Sequence, residues 1–368
     1  MPESEHAGAV LTIDLNAIVA NWRLLKSMLA GAECAAVVKA DAYGLGAGRV
    51  APALARAGCK TFFVAHVGEG MALRRVLPEA VIHVLNGPLP GSESALVEHR
   101  LAPVLNSLDD IAAWGNLARA RRVPLVADLH IDTGMARLGL PPIEMETLIR
   151  EPGRLDGITL AYLMSHLACA DEPEHPLNRQ QLTDFQRAHE AFAGAKASFA
   201  NSSGIFLGPE YHFDLARPGV ALYGAEPRPG EPNPMAQVVR LQGKILQVRD
   251  VDRPQTVGYG ATHRVMRRGR VATVGVGYAD GYLRSLSNSG SGYMGDTRVP
   301  IVGRVSMDLI TLDVSDVPDA TARPGALVDL IGPHNPIDSV AAEAGTIGYE
   351  ILTGLGSRYY RVYLDSAA

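Results

Sequence analysis

The chain has 368 residues, a net charge of −5 and three widely spaced cysteines, Cys34, Cys59 and Cys169. That length suggests one large unit plus a smaller one. The mild charge, the lack of a basic block and the lack of any long apolar run argue against a nucleic-acid binder and against a membrane span. The cysteine number and spacing fit neither a zinc site nor a disulfide framework, and no metal is expected. The polar, acidic start carries no signal-peptide pattern, so the cytoplasm is the expected compartment.

A strand-like run, 10–13, leads to Asp14, which is placed to cap a helix bearing Ile18, Trp22, Leu25 and Leu29 at helical spacing. Eight short apolar runs follow at 35–38, 62–65, 81–85, 102–105, 125–131, 158–163, 197–200 and 213–216. Most are separated by stretches long enough for a helix, such as 47–57, 108–119 and 178–195. Strands alternating with helices predict a parallel α/β sheet, and eight such units fit a barrel better than a doubly wound sheet. The character changes after Gly224. A proline- and charge-rich linker, 226–234, precedes β-type runs at 238–248, 270–276, 299–302, 309–314 and 326–331, and a helical pattern returns at 337–353. The expected architecture is therefore α/β: a (β/α)₈ TIM-type barrel over residues 1–230, then a mainly antiparallel β domain over 231–368. The first run, about 9–13, is a candidate to pair with the β domain.

The most informative stretch is Val37-Val38-Lys39-Ala40-Asp41-Ala42-Tyr43-Gly44-Leu45-Gly46. An apolar run delivers one lysine into a turn of small residues. Lysine is seldom buried without a use, and burial favours the neutral amine that attacks an aldehyde. On residue types alone, a snorkelling lysine at a strand end is the commoner outcome. In a barrel, chemistry sits at the carboxyl ends of strands. Four further polar groups fall there: Arg137 after the fifth run, His166 after the sixth, Asn201-Ser202-Ser203-Gly204 after the seventh and Arg217-Pro218-Gly219 after the eighth. Each alone has an ordinary structural explanation; five on one face of one barrel do not. Ser202, Gly219, the Val220 N–H and the Tyr43 hydroxyl together make a phosphate-binding set.

The lysine segment is similar to the pyridoxal phosphate segment of the alanine racemases. The likeness runs from about residue 11 to about 362. It implies that Lys39 carries the cofactor as a Schiff base, that Tyr43, Ser202, Gly219, Val220 and Tyr349 surround its phosphate, and that His166 and Arg217 meet its ring. Arginine only donates, so a ring nitrogen facing Arg217 would stay unprotonated, which favours racemisation over side reactions. Val257-Gly258-Tyr259-Gly260 resembles the family's catalytic tyrosine motif. The resemblance implies that Lys39 and Tyr259 are the two bases, and that Tyr259 reaches the site of the other subunit of a homodimer. Without it, Tyr259 reads as a hairpin tyrosine packed on the sheet. Arg137 and the Met307 N–H would hold the substrate carboxylate, while Tyr278 and Arg304 lie in strings that line the pocket mouth.

The chain departs from the family at three places. His130 stands where many members carry a lysine whose carbamate orients the arginine, so Arg137 needs another holder, such as an anion. Arg358-Tyr359-Tyr360-Arg361 replaces a terminal Arg-Val-Pro-Arg, and Ser306 stands where cysteine is common. The expected activity is alanine racemisation on a small amino-acid substrate. The alternatives are a serine or broad-specificity racemase, a decarboxylase of the same barrel, and a non-catalytic pyridoxal phosphate carrier.

Overall fold

The computed structural model describes residues 3–192 and 194–365. Strand β1 (Ala9–Asp14) is followed by helix Leu15–Ser27, whose first N–H groups, from Asn16 and Ala17, are capped by the Asp14 carboxylate. The barrel strands are β2 (Glu33–Cys34), β3 (Ala36–Val37), β4 (Thr61–Val64), β5 (Val81–Val84), β6 (Ala102–Leu105), β7 (Leu125–His130), β8 (Ile158–Met164), β9 (Lys196–Ser198) and β10 (Leu215–Ala216). All pair in parallel. β2 and β3 are halves of one strand broken at Ala35. β2 pairs with β10 and β3 with β4, so the ring closes through this first strand. Helices separate most of the strands, but after β9 and β10 the chain makes only 3₁₀ turns, Ser203–Phe206, Pro209–Tyr211 and Val220–Tyr223.

The remaining strands build an eight-stranded sheet centred on the long β11 (Val239–Val251). β1 belongs to this sheet, antiparallel to β11 and parallel to Tyr360–Leu364. Its alternate residues, Leu11 and Ile13 among them, are fully buried, which fixes the register. The sheet is thus mainly antiparallel with one parallel pair. β12 (Gln255–Val257) and β13 (His263–Val265) form a separate hairpin, and β14 (Gly269–Val274) pairs with β11. The helical pattern at 337–353 is two helices, Ile337–Ala344 and Gly348–Gly354. They are split at Gly345, whose φ of +70° ends the first.

Candidate active site

Strand β3 ends at Val37, and two residues later Lys39 opens a turn of the wrong hand. Ala40, Asp41, Ala42 and Tyr43 all have φ between +52° and +55°. Such backbone costs about 1–2 kcal/mol per non-glycine residue, so the surroundings must impose it. Glu69 takes the Ala40 N–H at 2.7 Å, and its other oxygen takes those of Ala65 and His66. Asp41 holds the Ala47 N–H, and the Arg361 guanidinium donates to the Gly44 carbonyl at 2.6 Å. A Cβ at Gly44 would meet the Leu352 carbonyl at 2.6 Å. The turn therefore aims Lys39 into a cavity of about 770 Å³ at the carboxyl ends of the strands. Burial, and then the Arg137 charge, hold the Lys39 amine below the ordinary lysine value, against the pull of Glu69.

Arg217 reaches the same cavity from β10 and is only 3 % exposed. Its guanidinium donates to the Ser198 hydroxyl at 2.5 Å and to the Ser165 carbonyl at 2.6 Å, and lies 3.4 Å from His166 Nδ1. Burial and then Arg217 push the His166 ring well down, so it is neutral. No carboxylate touches the Arg217 guanidinium among the described residues. What meets its free face must accept a hydrogen bond.

The same cavity holds a cradle for an anion. The Ser202 hydroxyl oxygen accepts the Gly219 and Ala221 N–H groups at 2.9 and 3.3 Å, leaving its own hydrogen to point outward. Val220 starts a 3₁₀ turn, where backbone N–H groups are left over. A Cβ on Gly219 would stand 2.3 Å from the Tyr43 hydroxyl, so this wall requires glycine. Burial raises Tyr43 well above its ordinary value, which keeps it a donor, and raises Tyr349 to about 12. The Tyr43 ring packs on Tyr223 and Tyr349. Hydroxyls and N–H groups, a lysine and a pure donor around one cavity fit a phosphorylated pyridine aldehyde.

His130 also lines the cavity, beside Arg137. Its orientation can be read from Asn106, whose amide nitrogen donates to the Val104 and Leu85 carbonyls. The Asn106 oxygen therefore faces His130 Nδ1, 2.8 Å away, and Nδ1 carries the hydrogen. Nε2 is left as a neutral acceptor. Burial first, then Arg217, lowers His130 to about 4. The Arg137 loop is held through its backbone: Asp132 takes the N–H groups of Gly134, Met135 and Ala136. A histidine protonated in the unfolded chain near 6.5 but in the fold only near 4 makes unfolding bind protons, so stability falls as pH drops between these values. His130→Gln is expected to remove a slope worth about 3 kcal/mol across that window, seen by denaturant titration at a series of pH values.

Tyr259, Tyr278, Arg304 and Met307 lie outside this cavity. Tyr259 sits at the tip of the β12–β13 hairpin and is 74 % exposed, so it does not pack on the sheet. It lines a shallow hollow with Arg304 and Leu309. The Tyr278 N–H donates to the Ser306 carbonyl and that of Ala279 to Met307, so these segments travel together, and the Tyr278 and Met307 side chains are exposed. Arg358 pins the same segments by pairing with Asp280 and Asp308, each at 2.8 Å. Arg358 is the first arginine of the terminal motif, an arginine that the chain shares with the family. Sequence reasoning missed Glu69 and Asn106, which carry no motif and act only through contacts made by folding.

A closed barrel with a lysine, a cation that only donates and an anion cradle at its carboxyl face, joined to a β domain, defines a pyridoxal phosphate enzyme of the barrel type. Residues 13–227 match the family "Alanine racemase, N-terminal domain" and residues 238–363 the family "Alanine racemase, C-terminal domain". The chain is 55 % identical to an alanine racemase of Rhodospirillum rubrum over 367 residues, covering 99 % of this chain and 98 % of the relative. It is 50 % identical to a catabolic alanine racemase of Mesorhizobium japonicum, covering 99 % and 95 %. The alanine racemase of Bartonella henselae, solved with covalently bound pyridoxal phosphate, superposes with a TM-score of 0.94 at 44 % identity, over 97 % of this chain and all of that one. The chain belongs to the alanine racemase family.

Proposed function

We propose that the protein interconverts L- and D-alanine with pyridoxal phosphate, using Lys39 and Tyr259 as the two bases. The observation that carries the reading is the convergence of Lys39, Arg217 and the Ser202–Gly219 cradle on one cavity. When bound, the cofactor supplies an electron-withdrawing ring that acidifies the α-proton of the substrate. The chain's own residues do the rest. Ser202, Tyr43, Gly219, Val220 and Tyr349 hold the phosphate, and Arg217 with His166 fixes the ring. Arg137 of one chain and the Met307 N–H of the other subunit take the substrate carboxylate; that N–H has no protein acceptor among the described residues. Lys39, whose amine is kept neutral more readily than an ordinary lysine, removes or returns the proton on one face. Tyr349, with Tyr278 and Arg304 brought to the mouth by the other subunit, limits the side chain to a small one.

The protein acts as a homodimer. A single chain presents Lys39 to its own cavity and Tyr259 to solvent beside Leu309, with exposed Tyr278 and Met307 on the adjoining segments, an apolar group that suits an interface. Its free thiols, Cys34, Cys59 and Cys169, suit the cytoplasm. No helix among the described residues is long and apolar enough to cross a membrane.

Circular dichroism of the enzyme with single enantiomers of alanine, serine and lysine tests the reading. Either alanine enantiomer should run to the racemic endpoint, with serine and lysine far slower. An unchanged alanine signal would reject it. Arg217→Glu replaces a group that only donates by one that accepts. Racemisation should slow and transamination of the cofactor rise, as followed by absorbance and pyruvate release. Normal racemisation with an unaltered spectrum would show that Arg217 does not face the ring.

A further inference from the structure

TIM-type barrels fill their axis with branched apolar side chains. Here His83 and Asp128 lie in it, both fully buried, with Nδ1 and Oδ2 2.6 Å apart. Asp128 precedes His130 by two residues on β7, and His83 precedes Leu85 by two; His130 and Leu85 both line the cavity. Residues two apart on a strand share a face, so the pair sits one layer beneath the cavity floor. His83 stacks on Phe63 at 4.6 Å, and its Nε2 and the Asp128 Oδ1 have no protein partner among the described residues.

The donor count fixes the charge of the pair. A charged imidazole would bury a second N–H with no acceptor, whereas a neutral ring leaves only a lone pair there. Nδ1 then carries the hydrogen, Asp128 is the carboxylate that accepts it, and the pair holds one negative charge. Arg217 lies one layer higher. Its guanidinium is bonded to Ser198, which is level with Met164 on β8 and, through it, with His130 on β7. Every group that the guanidinium touches is neutral: the Ser198 hydroxyl, the Ser165 and Phe199 carbonyls and the His166 ring. Of the acids lining the cavity, Glu69 is spent on three backbone N–H groups, and Glu350 accepts from the Thr346 hydroxyl.

We propose that Asp128, held as a carboxylate by the His83 N–H, is the buried counter-charge of Arg217 and a positioning residue for it. Asp128 supports the charged form of Arg217 through space, against the burial that opposes it. A cation with no such partner would be costly at the centre of a barrel. Asp128 thus lets a permanent donor face the cavity without touching it and so without quenching its free hydrogens.

The test is a thermal cycle on the purified holoenzyme. Asp128→Asn keeps the shape and can still accept from His83, but loses the charge. It should lower Tm by roughly 5 °C or more with Arg217 present. In an Arg217→Gln background the same change should leave Tm unchanged or raise it. Equal falls in both backgrounds would overturn the proposal, because Asp128 would then serve His83 alone. Should the single variant fail to fold, a folded Asp128→Asn/Arg217→Gln double variant supports the proposal and an unfolded one overturns it. The cycle reads the charge of Arg217 itself, so its failure would leave the proposed function standing.

Discussion

Lys39→Ala should lose covalently held cofactor and essentially all racemisation. The loss should exceed the 10²–10⁴-fold typical of a single acid–base group, since both attachment and one base disappear together. Among the described residues Lys39 is the one lysine lining the cavity, and the left-handed turn follows it directly. Borohydride treatment of the native enzyme followed by peptide mapping should place the cofactor on Lys39. A label on Lys26, Lys60, Lys196 or Lys244 would move the site elsewhere. The variant should otherwise fold, because the turn is held by Glu69, Asp41 and Arg361 rather than by the lysine amine.

Tyr259→Phe should lower racemisation by roughly 10²–10⁴-fold while sparing exchange of the α-proton of one enantiomer through Lys39. Stability should hardly change, because the hydroxyl lies on an exposed hairpin tip. Mixing tests whether the tyrosine crosses between subunits. Lys39→Ala and Tyr259→Phe chains, dissociated and reassociated together, give random dimers of which about half are mixed. One site of each mixed dimer holds both native bases and the other holds neither, so about a quarter of all sites should be active. No recovery, despite demonstrated subunit exchange, would place both bases on one chain.

Much of this was legible because it is local. Apolar runs of barrel length, separated by helical stretches, mark strands whatever surrounds them, and polar residues at their carboxyl ends point to the active face. The Lys39 segment and the Ser202 and Arg217 strings could be read as one site, and the structure gathers them around one cavity. What could not be read depends on distant partners. The 337–353 stretch has one helical pattern, yet Gly345 divides it. Tyr360–Leu364 is not among the β-type runs read from the sequence, and it pairs as a strand along the edge that β1 offers. An anion is one candidate holder for Arg137; what the sequence does not show is that the neighbouring His130 has its tautomer dictated by Asn106, a residue without any motif, and that the Asp132 carboxylate holds the loop by its backbone. The hand of the Lys39 turn was equally invisible, since alanine, aspartate and tyrosine have no preference for it.

That turn also sets a clock. One of its anchors, Arg361, lies 317 residues downstream of the Gly44 carbonyl that it binds. At about 5–20 residues per second, a ribosome needs on the order of 15–60 s to make that stretch. During that interval the nascent barrel carries its lysine without this clasp and without the Leu352 backbone against which Gly44 packs. The contacts that brace the lysine turn are therefore complete only once the β domain has been synthesised and has docked.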